Sequence, residues 1–125
     1  MTKKTVPTKS EIEVLKILWR VGPSSVRAVN NDINLNRKVS YTSTLKTMQI
    51  MAEKGLLTRN ESSMKHIYYP AEEEATTKRY LTQNFIDNVF NGSTSKLILE
   101  LLGGKSTGNK DLKEIEQLLK KHKIE

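Results

Sequence analysis

Between Thr8 and Gly55 a capping residue precedes each of three short periodic segments, a rhythm that leaves room for little but small helices packed on one another. Thr8, with Glu11 three residues on, forms a capping box that satisfies free backbone donors at a helix start. Ile12, Leu15, Leu18 and Trp19 then recur at spacings of three and four, one apolar stripe that Gly22-Pro23 brings to a stop. Ser24 or Ser25 caps a second helix whose inward positions are Val26, Val29 and Ile33, and the polar stretch 34–38 is a connection. Ser40 caps a third helix, running from Tyr41 to Lys54 and ending at Gly55. At about 100° per residue, Tyr41, Leu45, Met48 and Ala52 gather on its inner side, with Thr44 and Met51 at the edge. The opposite side carries Ser43, Lys46, Thr47, Ile50 and Lys54, a small, hydroxylated and basic face.

After Gly55 the period changes. Leu56-Leu57-Thr58-Arg59 and His66-Ile67-Tyr68-Tyr69 are rich in strand formers and separated by a polar tip over 60–65, with Pro70 closing the second. A hairpin this small cannot stand alone and must rest on the helices. Three helices and a hairpin in about 70 residues is the order of a winged helix-turn-helix. The remainder is helical. Glu72-Glu73-Glu74 places negative charge at a helix start, and a long helix carries Tyr80, Leu81, Phe85, Ile86, Val89 and Phe90 as far as Asn91-Gly92. A second helix spans 93–102, a glycine-rich break follows over 103–109, and a last helix carries Leu112, Ile115, Leu118 and Leu119. The expected fold is therefore mainly α with a small β-wing, a winged-helix domain over 1–72 followed by a helical dimerisation domain over 73–125. Leu81, Phe85, Val89, Leu97, Ile98, Leu101, Leu102, Leu112, Ile115, Leu118 and Leu119 form more apolar surface than three short helices can bury among themselves. A second copy of the chain is the expected cover.

Charge sharpens the division. Of the net +7 on 125 residues, residues 1–70 carry 12 Lys+Arg against 5 Asp+Glu, whereas residues 71–125 carry 9 of each. A basic half joined to a neutral half points to a polyanion-binding module attached to an assembly module. In a winged helix the third helix enters the major groove and the wing reaches beside it. The expected contacts with double-stranded DNA are therefore Thr42, Ser43, Lys46, Thr47, Ile50 and Lys54 from the helix, with Arg59, Lys65 and His66 from the wing. Catalysis fails on inventory. The two histidines, His66 and His122, lie far apart, and no cysteine is available as nucleophile, redox switch or metal ligand. Gly104-Lys105-Ser106 resembles the end of a phosphate loop, yet position 99, where that loop needs glycine, is leucine. No catalytic residue, metal or cofactor is expected. The polar N-terminus and the lack of a long apolar run predict a cytoplasmic protein that does not bind membranes directly.

The third helix and wing, Tyr41 to Leu57 followed by His66-Ile67-Tyr68-Tyr69-Pro70, resemble the penicillinase-repressor (BlaI/MecI/CopY) family. The opening 8–19 resembles that family's first helix, and Phe90-Asn91-Gly92 with Lys96-Leu97-Ile98-Leu99 resembles the start of its dimerisation region. The resemblance implies a homodimeric transcriptional repressor on a palindromic operator, often paired with a membrane sensor carrying a zinc-peptidase domain, whose cleavage of the dimerisation helices releases DNA. Many members carry Arg where this chain has Ile50. That difference leaves base readout to Ser43, Lys46 and Thr47, with Ile50 available to a thymine methyl. The β-lactam-responsive members have an Asn-Phe scissile bond, and the matching pair here is Glu100-Leu101. The copper-responsive branch uses cysteine pairs, which this chain lacks. From the residues alone, two other readings stay open: a winged-helix adaptor that binds protein rather than DNA, and a regulator that senses a small ligand.

Overall fold

The computed structural model describes residues 6–62, 66–104 and 108–121. Lys65, Lys105, Ser106 and His122, singled out above, lie outside the described residues. The elements are α1 (Lys9–Val21), α2 (Val26–Ile33), α3 (Tyr41–Glu53), β1 (Leu57–Asn60), β2 (Ile67–Pro70), α4 (Glu74–Val89), α5 (Thr94–Gly103) and α6 (Asn109–Lys121). This is a mainly helical chain with one small antiparallel sheet, the class expected from the sequence.

The caps work as their residue types dictate. Thr8 Oγ1 accepts from the Glu11 backbone N–H at 3.2 Å, while the Thr8 N–H donates to Glu11 Oε1 at 2.9 Å, a complete capping box. Ser25, rather than Ser24, caps α2 through the Ala28 N–H, and Ser40 caps α3 through the Ser43 N–H. Ser24 has another task. Its N–H donates to the Tyr68 carbonyl at 3.1 Å, and the Tyr68 N–H returns a bond to the Ser24 carbonyl at 2.9 Å. This rung sews the α1–α2 connection to β2.

The end of α3 explains why the strands start later than their composition suggests. Gly55 at φ +83° donates to the Ala52 carbonyl, and Leu56 N–H reaches the Met51 carbonyl at 2.9 Å. That is a Schellman closure, and it takes the Leu56 N–H out of the hairpin, while the Leu56 carbonyl still accepts from the Ala71 N–H at 2.9 Å. Pairing therefore begins at Leu57, opposite Pro70, and continues through Thr58 with Tyr69, Arg59 with Tyr68 and Asn60 with Ile67.

Val14, Leu15, Ile17 and Leu18 of α1, Val26, Val29 and Ile33 of α2, Met48 and Met51 of α3, Leu57 and Tyr68 form one buried cluster. The α1 stripe thus centres on Val14, Leu15, Ile17 and Leu18, with Ile12 and Trp19 at its half-buried margins. The inner face of α3 also differs from expectation. Thr44, Met48 and Met51 are buried, Leu45 and Ala52 are half-buried, and Tyr41 is 37% exposed. The helix is turned by roughly 60° from the setting that apolar content alone selects. The cause is polar. Asn30, itself buried, directs its amide Nδ2 to Thr44 Oγ1 at 2.8 Å and lies within 3.1 Å of the Val39 and Ser40 carbonyls.

Packing divides the chain within α4 into two compact units, Met1–Arg79 and Tyr80–Glu125. In the second unit, α4 closes on consecutive left-handed residues, Asn91 and Gly92, and Phe85 meets Phe90 edge-on at 5.8 Å. Ser93 then caps α5. Neither α5 nor α6 holds a single buried residue.

Candidate nucleic-acid interface

The rotation of α3 decides which side chains its outer face presents. Thr42, Ser43, Lys46 and Gln49 are exposed, and Ile50 is half-buried beside them. Gln49 was not among the residues expected from sequence, because an inner face centred on Tyr41, Leu45, Met48 and Ala52 leaves it at the margin. With Thr44 turned inward, it stands beside Lys46. A glutamine here can offer an amide donor and acceptor together, the pairing that adenine takes in the major groove. Thr47 is half-buried, with its hydroxyl bonded to the Ser43 carbonyl at 3.0 Å. Ser43 and Thr47 also line a hollow of about 340 Å³ shared with Ser10, Glu13, Arg37 and Ser40.

The basic residues between Lys9 and Arg59 fall into two sets. Arg20 is paired with Asp32, Arg37 with Glu13, Lys54 with Glu11 and Arg59 with Glu61. Among the described residues, Lys9, Lys16, Arg27, Lys38 and Lys46 have no ion pair. Lys54 is thus engaged: its Nζ donates to both Glu11 oxygens, at 3.1 and 2.9 Å. Burial pushes the Glu11 carboxyl up, but hydrogen bonds from Lys54 and the Thr8 N–H, with the Lys54 charge, outweigh burial and hold it below its ordinary value. Glu13 also lies below its ordinary value, chiefly through its hydrogen bond from Arg37.

On the wing, Arg59 donates to the Tyr68 hydroxyl at 3.4 Å and pairs with Glu61 at 3.0 Å, and both contacts hold the guanidinium in its charged form. His66, at the foot of the wing, is exposed. The structure therefore brings Thr42, Ser43, Lys46 and Ile50 together on α3, with Thr47 at their edge, and ties Lys54 and Arg59 into pairs of their own. No group of acidic, histidine or cysteine side chains that could hold a metal occurs among the described residues.

The family profile described as "Penicillinase repressor" matches residues 7–121. The chain belongs to the penicillinase-repressor family. It is 26% identical to the penicillinase repressor of Bacillus licheniformis, over 96% of this chain and 95% of that protein. It is 25% identical to the methicillin resistance regulatory protein MecI of Mammaliicoccus sciuri and to that of Staphylococcus aureus (strain N315), over 97% of this chain and 99% of each. A penicillinase-repressor chain is a transcriptional repressor rather than an enzyme.

The residues marked for dimerisation divide by exposure. Phe85, Val89, Leu101, Leu102, Leu118 and Leu119 are exposed, while Leu81, Leu97, Ile98, Leu112 and Ile115 are half-buried. Leu99, on the same helix as Leu97 and Ile98, is 67% exposed. Glu100 and Leu101 are both exposed on α5. No helix among the described residues is long and apolar enough to cross a membrane.

Proposed function

We propose that this repressor acts in the cytoplasm as a homodimer on an inverted-repeat operator, with α3 of each protomer in the major groove and the wing on the flanking backbone. The observation that carries the reading is the exposed outer face of α3, with Thr42, Ser43, Lys46 and Gln49, within the first 70 residues, which hold the whole positive excess. Lys46 reaches phosphate or guanine acceptors, Ser43 and Thr42 offer hydroxyls, and Ile50 offers an apolar edge. Two-fold pairing of the second unit sets the half-sites about one DNA turn apart, near 34 Å. Cleavage within α5, at or near Glu100–Leu101, by a partner membrane sensor peptidase accounts for release. Each protomer alone keeps one half-site, and loss of the second removes most of the affinity.

The test is fluorescence anisotropy with a duplex from the region upstream of the protein's own coding sequence. Binding is expected to weaken steeply with salt, as released counterions require. Lys46→Ala and Arg59→Ala are each expected to weaken binding about tenfold with the fold intact, in line with about 1–3 kcal/mol for a good base or phosphate contact. Absence of salt-sensitive binding, or variants that bind as well as the parent, would reject this face. For release, co-expression with the sensor peptidase and mass mapping of the fragments locates the cut. A chain that leaves DNA uncut rejects proteolysis.

A further inference from the structure

Arg27, on α2, is not among the expected DNA contacts, yet of the basic residues without an ion pair between Lys9 and Arg59 it alone lies over an aromatic ring. It is exposed on α2, it has no ion pair, and its Cζ lies 4.3 Å from the centre of the Tyr41 ring. Tyr41 is the first residue of α3, kept partly exposed by the rotation that turns Thr44 inward. A guanidinium stacked face-on against an aromatic ring keeps its N–H edge free, because the ring engages the plane and not the donors. The ring contact therefore favours one placement of this five-donor cation, and no hydrogen bond or ion pair among the described residues spends its donors. Arg20, Arg37, Lys54 and Arg59 each spend their donors on an acid of the same unit. Lys38, just ahead of the Ser40 cap, and Lys46 on α3 share with Arg27 the lack of an ion pair. Arg27 differs from those lysines in being held.

We propose that Arg27, stacked on Tyr41, is a phosphate-binding group that takes a backbone phosphate of double-stranded DNA beside the first turn of α3. The stack sets the plane and the phosphate takes two of the free N–H donors. This inference rests on the reading that α3 faces the duplex, and deepens it by assigning the strand contact on the α2 side. Arginine is required for the geometry. Lysine would carry the charge, but neither the plane that stacks nor the fork that grips two oxygens.

The experiment is anisotropy on the full chain, with the upstream duplex and a scrambled duplex of equal length, across a salt series. Parent, Arg27→Ala, Arg27→Lys, Tyr41→Phe and Tyr41→Leu are compared, each with its thermal midpoint. Arg27→Ala is expected to weaken both duplexes by the same factor, about five- to tenfold, and to lower the salt slope by about one counterion per protomer. Arg27→Lys is expected to restore the slope but not the full affinity. Tyr41→Leu is expected to lose affinity with the slope kept, and Tyr41→Phe, which keeps the ring, to lose less than Tyr41→Leu. If the parent binds and Arg27→Ala matches it in affinity and slope, the stack is an internal surface contact and the inference falls while the α3 reading stands. If Arg27→Ala weakens only the upstream duplex, the contact is to a base and the phosphate assignment is wrong. If the parent binds neither duplex, the α3 reading falls and this inference with it.

Discussion

The Glu11–Lys54 pair shows how one side chain can serve two elements. Glu11 completes the cap of α1 and receives the ammonium that ends α3, 43 residues away in sequence. Lys54→Ala strands a carboxylate that is 5% exposed and is expected to cost about 2 kcal/mol, read by urea unfolding. That figure is below the cost of a fully buried pair because the lysine is 30% exposed. Glu11→Gln keeps an acceptor for the Thr8 N–H and leaves an ammonium that water can reach, so about 1 kcal/mol is expected. The order of the two losses tests which partner is the sequestered one. Acid extends the point. Glu11 and Glu13 are both held below 4.5 in the folded state, so the unfolded chain binds their protons more readily. Their contribution is complete above about pH 4.5 and disappears as pH falls through the lower folded values. Thermal midpoints taken down that range should drop, and drop less in Lys54→Ala, where Glu11 has lost its main reason to stay ionised.

Among the elements, α3 shows where sequence is legible and where it is not. Its start and stop follow from Ser40 and Gly55, because caps are local chemistry. Its rotation is set by a bond from Asn30 to Thr44, fourteen residues apart, and an apolar periodicity is blind to such a bond. Hence Gln49 could not be read as outward, and Lys54 could not be read as paired. The strands were visible as types, and their one-residue offset was hidden in the Schellman closure. Gly55 can be tested alone. An added Cβ meets nothing within 4 Å, so Gly55→Ala pays only for the left-handed backbone at φ +83°. About 1 kcal/mol is expected in urea unfolding, with Met48 and Met51 packing unaltered. A larger loss would mean that the closure also fixes the register of the hairpin.

At the scale of the whole molecule, the two units differ in charge and in cover. The first buries a complete core, while the second leaves Leu99, Leu101, Leu102, Leu118 and Leu119 in solvent. Apolar content was enough to foresee that uncovered surface, since three short helices offer one another too little cover. Leu101→Glu or Leu118→Glu should leave the unfolding of the first unit unaltered. Each should weaken self-association at least tenfold in sedimentation equilibrium, because a two-fold interface repeats every change. Under the proposed mode of action, the chain must find its twin before it holds the operator. At low copy number its active form rises with the square of the amount made, so repression responds steeply to supply. Removing a modest fraction of chains then lowers the dimer by up to about twice that fraction.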